Sequence, residues 1–220
     1  MSSRDDIIDG TWSYGRKYGL IYTRKCGWVD LGHANPEGPR ELWLKIRNEE
    51  SEVETEDGFF RISYSLEMSK SRFNVTVKAS SKKRYDIKKG LSMSEKQSVA
   101  LAILIDVSHS FEYMQTKWPF RLATDSGYSA EDLVSNIISF YRALNPNIDY
   151  LRVCQPVSLS TALEIWDRHG AVGENKNRTH VPYLYPVLNS GSGVPMCAEL
   201  PLELNIIKPA IHGQLFKEVR

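Results

Sequence analysis

Between Gly58 and Ala79 the chain alternates apolar and polar residues with a period of two. Phe60, Ile62, Tyr64 and Leu66 are set against Arg61, Ser63 and Ser65, then Phe73, Val75 and Val77 against Asn74 and Thr76. Successive side chains of a strand point to opposite faces, so this pattern buries one face of an extended segment and would scatter around a helix. It predicts strands over 58–68 and 72–79, joined at Ser69-Lys70-Ser71 as an antiparallel hairpin, with a third strand through Tyr85–Ile87. A shorter β-type run lies at Leu20–Thr23.

The second half reads as helix. Ser92 or Ser94 can cap a helix running to about Trp118, where Pro119 stops it. Ser129 and Asp132 have the spacing of a capping box, opening a helix that runs to Leu144 and ends at Asn145-Pro146. A third helix spans about Ser160 to His169, with Gly170 as its stop. Upstream, Pro39 suits the first turn of a helix to about Glu52, with Leu42, Trp43 and Ile46 on its apolar side. Cys26–His33 fits a buried helical turn or a tight strand-to-helix transition. The fold class is therefore α+β: a small antiparallel sheet packed against several α-helices. A chain of 220 residues suits one domain over 1–220, with 1–18 as a polar lead-in with helical character, and 171–220 as an irregular, loop-rich tail extended near Met196–Ile207.

Charge narrows the partners. The 28 basic and 27 acidic residues leave a net +1, which gives no electrostatic reason to expect a nucleic-acid or membrane surface. The one basic cluster, Lys78, Lys82-Lys83-Arg84 and Lys88-Lys89, reads as a solvated strand edge. Three cysteines, at 26, 154 and 197, form neither a disulfide framework nor a CxxC pair for structural zinc. The opening residues carry charges and glycines where a secretory signal needs an apolar run, so the expected product is synthesised in the cytoplasm without a signal peptide. Val99–Val107 is too short to span a bilayer, and no transmembrane segment is expected.

Three polar groupings could carry chemistry. On a helix, Cys26, Asp30 and His33 would share one face; a carboxylate beside an imidazole gives it the orientation and basicity a general base needs, and an adjacent thiol could be activated. The alternative is that Asp30 caps locally and His33 bonds carbonyls at the end of the turn. Asp106, His109, Glu112 and Gln115, with Thr116 beside them, form a stripe on the long helix that suits a solvated face, although Trp118 and Phe120 just downstream argue for burial there. In the third group, Ser129, Glu131, Asp132 and Asn136, capping accounts for Ser129 and Asp132. No phosphate loop, nucleophile elbow or His-Glu-x-x-His site is present.

Three blocks resemble a bacterial family called domain of unknown function 4056: Gly19–Thr23 with Gly27-Trp28-Val29-Asp30-Leu31-Gly32-His33, then Phe111–Thr116, then Ser129–Asn136. They occur in the family's order and span about 20 to 140. Glu112 and Tyr113 stand where the family has a His-Glu pair, so any metal-binding element there is altered. Cys26 is not part of the family pattern, which speaks against a cysteine nucleophile, as does the lack of any His between His33 and His109. The family's lipoprotein-type leader is also missing, which resembles contact-delivered effectors of type VI secretion.

The resemblance implies Asp30, His33 and Glu112 as catalytic residues: His33 as base, Asp30 positioning it or a water, Glu112 stabilising the imidazolium. It implies a hydrolase of amide or ester bonds, an antibacterial effector acting on peptidoglycan in the periplasm of a target cell. A cognate immunity protein and the secretion machinery would be its partners. No cofactor is evident from the residues, although Asp, His and Glu are competent ligands for a divalent metal such as zinc or manganese. The alternative function is a non-catalytic interaction module, an immunity or adaptor protein, in which the same polar residues only tie elements together.

Overall fold

A computed structural model describes residues 2–72, 75–116, 128–174, 176–185 and 196–219. The architecture is α+β, with helices accompanied by antiparallel sheets only among the described residues. None of the described helices is long and apolar enough to cross a membrane. Contacts divide the chain into two compact units, each built from separated stretches: Met1–Pro36 with Thr124–Ile206, and Glu37–Ala123 with Ile207–Arg220.

In the first unit, short 3-10 turns at Arg4–Asp6 and Gly10–Trp12 lead to strands β1 (Leu20–Thr23) and β2 (Gly27–Asp30). The strands pair antiparallel, with Leu20 opposite Asp30 and Tyr22 opposite Trp28. Of the two conformations the sequence allowed for Cys26–His33, a strand leading into a turn is adopted, and among the described residues no α-helix begins before Glu37. The physical reason is the paired register: Trp28 and Val29 are aromatic and β-branched, and each finds a partner on β1. Leu20, Tyr22 and Trp28 join a core with Val157, Ala162, Ile165 and Tyr185, and the Trp28 and Trp166 rings meet edge-on at 5.7 Å. Helix α3 (Asp132–Leu144) packs on β2, while α4 (Tyr150–Val153) and α5 (Leu159–His169) follow it. Strands β5 (Tyr183–Leu184) and β6 (Met196–Cys197) pair antiparallel, and the extended run expected to Ile207 stops there.

The second unit holds α1 (Glu37–Asn48), the long strands β3 (Phe59–Arg72) and β4 (Val75–Lys88), α2 (Met93–Gln115) and β7 (Phe216–Val219). The predicted hairpin is present, but Ser69-Lys70-Ser71 lies within β3, since Ser71 pairs with Thr76 and Arg72 with Val75; residues 73–74 lie outside the described residues. Tyr85–Ile87 belongs to β4, and the sheet's third strand is β7, paired to Arg84–Ile87. Phe60, Ile62, Tyr64, Tyr85 and Ile87 form the buried face, and α2 packs on both long strands.

Helix α1 stops at Asn48 rather than Glu52 because Glu49 takes a left-handed φ of 54° and Glu52 N donates to the Arg61 carbonyl on β3 instead. Helix α2 opens with a reciprocal capping box between Ser92 and Glu95. Its expected end at Trp118-Pro119 lies outside the described residues. Two expectations about solvated groups are corrected here. Lys83 is not a solvated edge residue: its ammonium reaches Asp106 at 2.9 Å and Glu218 at 3.2 Å. The α2 stripe is not a solvated face either, because Asp106 also accepts from the Tyr85 hydroxyl at 2.6 Å, and Glu112 and Gln115 are buried.

Candidate functional site

The first unit gathers titratable groups where β2 ends. A strand must be terminated by something that satisfies the next backbone donors, and Asp30 does this. Its Oδ1 accepts the Gly32 N–H at 2.6 Å and the His33 N–H at 3.3 Å, while its carbonyl accepts the Ala34 N–H at 2.8 Å. This is the local Asp turn chemistry that sets a fixed bend. A Cβ at Gly32 would sit 3.0 Å from that same Asp30 oxygen, so position 32 must stay small for the turn to close. The bend carries His33 out to the edge of the unit, with its side chain 26% exposed.

Helix α3 is pinned against this turn from both ends. The Asp30 N–H donates to Ser135 Oγ at 3.0 Å, and that hydroxyl donates to the Glu131 carbonyl at 2.6 Å. Further along, Arg142 Nη1 donates to the Ala34 carbonyl at 2.6 Å. The start of α3 is thereby held beside the imidazole. Asp132 Oδ2 accepts the Ser129 N–H at 3.0 Å, which is half of the expected capping box. Its Oδ1 faces His33 Nε2 at 3.7 Å, with the carboxylate only 9% exposed. That separation exceeds a direct hydrogen bond. It matches the spacing of two ligand atoms that each sit about 2.0–2.2 Å from one tetrahedral cation.

Glu131 is buried to 1% exposure beside this pair. Its Oε1 lies 3.3 Å from Ser2 Oγ, which also lies 3.4 Å from Asp30 Oδ2. One hydroxyl proton serves only one of two carboxylates at a time. Oε2 has no hydrogen-bond partner among the described residues. Burial, with the Asp30 charge adding to it, pushes the Glu131 carboxyl up to about 7, against the opposing pull of its own backbone, His33 and Ser2. A carboxyl poised there exchanges its proton near neutrality, the condition acid–base chemistry favours.

Asp30 and His33 are neighbours, but Asp30 Oδ1 serves the turn and Oδ2 lies by Ser2 Oγ, while the Asp132 carboxylate faces the imidazole. Cys26 does not share a face with them, because Gly27–Asp30 is a strand and not a helix. It sits at the opposite end of β2, about 13 Å away at roughly 3.3 Å per residue, buried against Cys154. Contact with Cys26 and then burial push the Cys154 thiol up, which disfavours its thiolate. Glu112 is a buried residue of α2 in the second unit.

Glu131 and Asp132 are the residues that sequence reasoning undervalued. The signal was there: a capping box needs one acidic residue, and Glu131-Asp132 supplies two. Comparison with known proteins finds no matching family model, no matching curated protein and no matching solved structure.

Proposed function

We propose that the chain is a hydrolase of amide or ester bonds in which His33 is the general base, Asp132 the carboxylate that orients it, and Asp30 the residue that positions its backbone. The observation that carries this reading is His33 Nε2 facing Asp132 Oδ1 at 3.7 Å on the solvent edge, beside the buried Glu131. Glu131 supplies a proton acceptor and donor that works near neutral pH. The three-block resemblance adds the setting: an antibacterial effector of type VI secretion acting on peptidoglycan in the periplasm of a target cell, matched by an immunity protein. Glu112 enters this proposal as the third residue that the resemblance implies.

The test uses purified peptidoglycan and small amide and ester substrates, together with expression in the cytosol and in the periplasm. His33→Ala and Asp132→Asn should each lower kcat/KM by about 10²–10⁴, the usual scale for a general base. Asp30→Asn, which keeps the acceptor oxygen of the turn, should stay within about tenfold, a loss of roughly 1.4 kcal/mol. Equal activity in wild type and His33→Ala would sink the reading. A metal-centred variant of it is favoured by the same 3.7 Å separation. In that variant a chelator removes the activity and added zinc or manganese restores it, while Asp132→Asn loses the metal.

A further inference from the structure

Trp12, Tyr14 and Tyr18 lie within seven residues of one another and are 82%, 88% and 78% exposed. Single exposed apolar residues are ordinary, but three large exposed rings within seven residues of chain are a density that invites a ligand. The path of the loop is fixed at both ends. Gly10 N donates to the Val157 carbonyl at 3.1 Å, and Val157 N donates to the Tyr22 carbonyl at 3.0 Å, which anchors the start of the loop beside β1. At the other end the Gly19 carbonyl accepts the Leu31 N–H at 2.9 Å, beside the Asp30 turn. Tyr18 Cδ1 lies 3.8 Å from where a Cβ on Gly32 would be, so this ring borders the residue next to His33.

The starting end opens into a cleft of about 720 Å³, lined among others by Thr11, Tyr14, Asp149, Arg152 and Gln155. Its charges balance, one acid against one base, and the other polar groups are neutral. That balance does not suit a polyanion, which wants an excess of cations. A lipid surface wants an apolar face rimmed by basic residues; Arg16 and Lys17 stand on the loop, but the cleft itself offers only Arg152, balanced by Asp149. That balance does suit a polyhydroxylated chain. A pyranose ring presents a flat face of C–H groups that packs on the negative face of an aromatic ring. Its equatorial hydroxyls meet the planar acceptors and donors of Asp, Gln and Arg.

We propose that the cleft and the Trp12–Tyr18 loop bind a glycan strand, held by Tyr14 in the cleft and led past Tyr18 towards His33. Both ends of the track lie in the first unit. The strand length it follows, β1, is about 13 Å at roughly 3.3 Å per residue, a distance that a short oligosaccharide spans. The inference rests on the proposed hydrolase reading only for what happens at His33; binding of the glycan stands apart from it.

The full-length chain is titrated calorimetrically with the β-1,4-linked tetramer of N-acetylglucosamine. It is also sedimented with peptidoglycan sacculi stripped of their peptides. Wild type should bind both, and the doubly substituted Trp12→Ala, Tyr14→Ala chain should lose at least about tenfold in affinity with an unchanged melting temperature, since both side chains stand in solvent. Arg152→Ala should weaken binding as well, and Lys217→Ala, in the second unit, should leave it intact. The inference is overturned if wild type binds neither glycan, if the double variant binds as well as wild type, or if anionic lipid vesicles are bound in place of the glycans. Glycan binding that the double variant loses, in a wild-type chain that hydrolyses nothing, would uphold this inference and refute the hydrolase.

Discussion

Glu131 and Asp30 share one serine hydroxyl, and the first of these carboxyl groups is buried. The pH dependence follows from the direction of the shift. Folding raises the Glu131 carboxyl from an ordinary 4.5 to about 7. Below 4.5 both folded and unfolded chains are protonated, and the contribution of this group to stability is fully present. Between 4.5 and 7 the folded chain holds the proton that the unfolded chain has released, so stability falls as pH rises, by roughly 3 kcal/mol across the window. Above 7 the contribution is gone. Glu131→Gln should therefore remove this part of the decline, and its urea midpoint should exceed that of wild type at pH 8 by more than at pH 4. Parallel midpoint-against-pH curves for the two chains would show that Glu131 titrates normally.

Turns rather than strands decide where the elements sit. Gly27 opens β2 with a φ of 67°, and a Cβ there would collide with the Tyr183 carbonyl oxygen. Gly58 has a similar φ of 85° but nothing within 4 Å of a Cβ. Both substitutions by alanine incur the left-handed penalty of about 1–2 kcal/mol, and only Gly27→Ala adds a clash with backbone. Gly27→Ala should thus cost on the order of 2–4 kcal/mol, and Gly58→Ala about half of that. Chemical denaturation of the two variants tests this; equal losses would mean that the β2–Tyr183 approach is slack. The same comparison explains what was legible at this scale. The period of two at Phe60–Leu66 is a local signal and gave the hairpin. The left-handed Glu49 that ends α1 goes with a backbone bond from Glu52 to Arg61 on β3, which no local pattern shows.

At the scale of the whole molecule, the chain leaves the first unit at Pro36, returns at Thr124, and sends its last residues, Ile207–Arg220, into the second. The closing strand β7 seats Phe216, buried, with its ring 6.0 Å from that of Tyr85. Phe216→Ala should cost about 3–5 kcal/mol, the usual loss for a buried phenylalanine, whereas the neighbouring Lys217→Ala should stay within about 0.5 kcal/mol. A loss below about 1 kcal/mol for Phe216→Ala would show that β7 is dispensable. The sequence by itself determined the α+β class, a helix from Ser92 or Ser94 and one from about Ser160, the hairpin, and the closeness of Asp30 to His33 three residues on. Each follows from periodicity or from a side chain that bonds backbone a few residues away. Only the tertiary structure decided that Asp132 faces His33, that Glu131 is buried, that Cys26 belongs with Cys154, and that a tail strand completes the β3–β4 sheet. Those outcomes depend on which distant surfaces exclude water together, and a burial shared between segments a hundred residues apart leaves no periodic trace in either one.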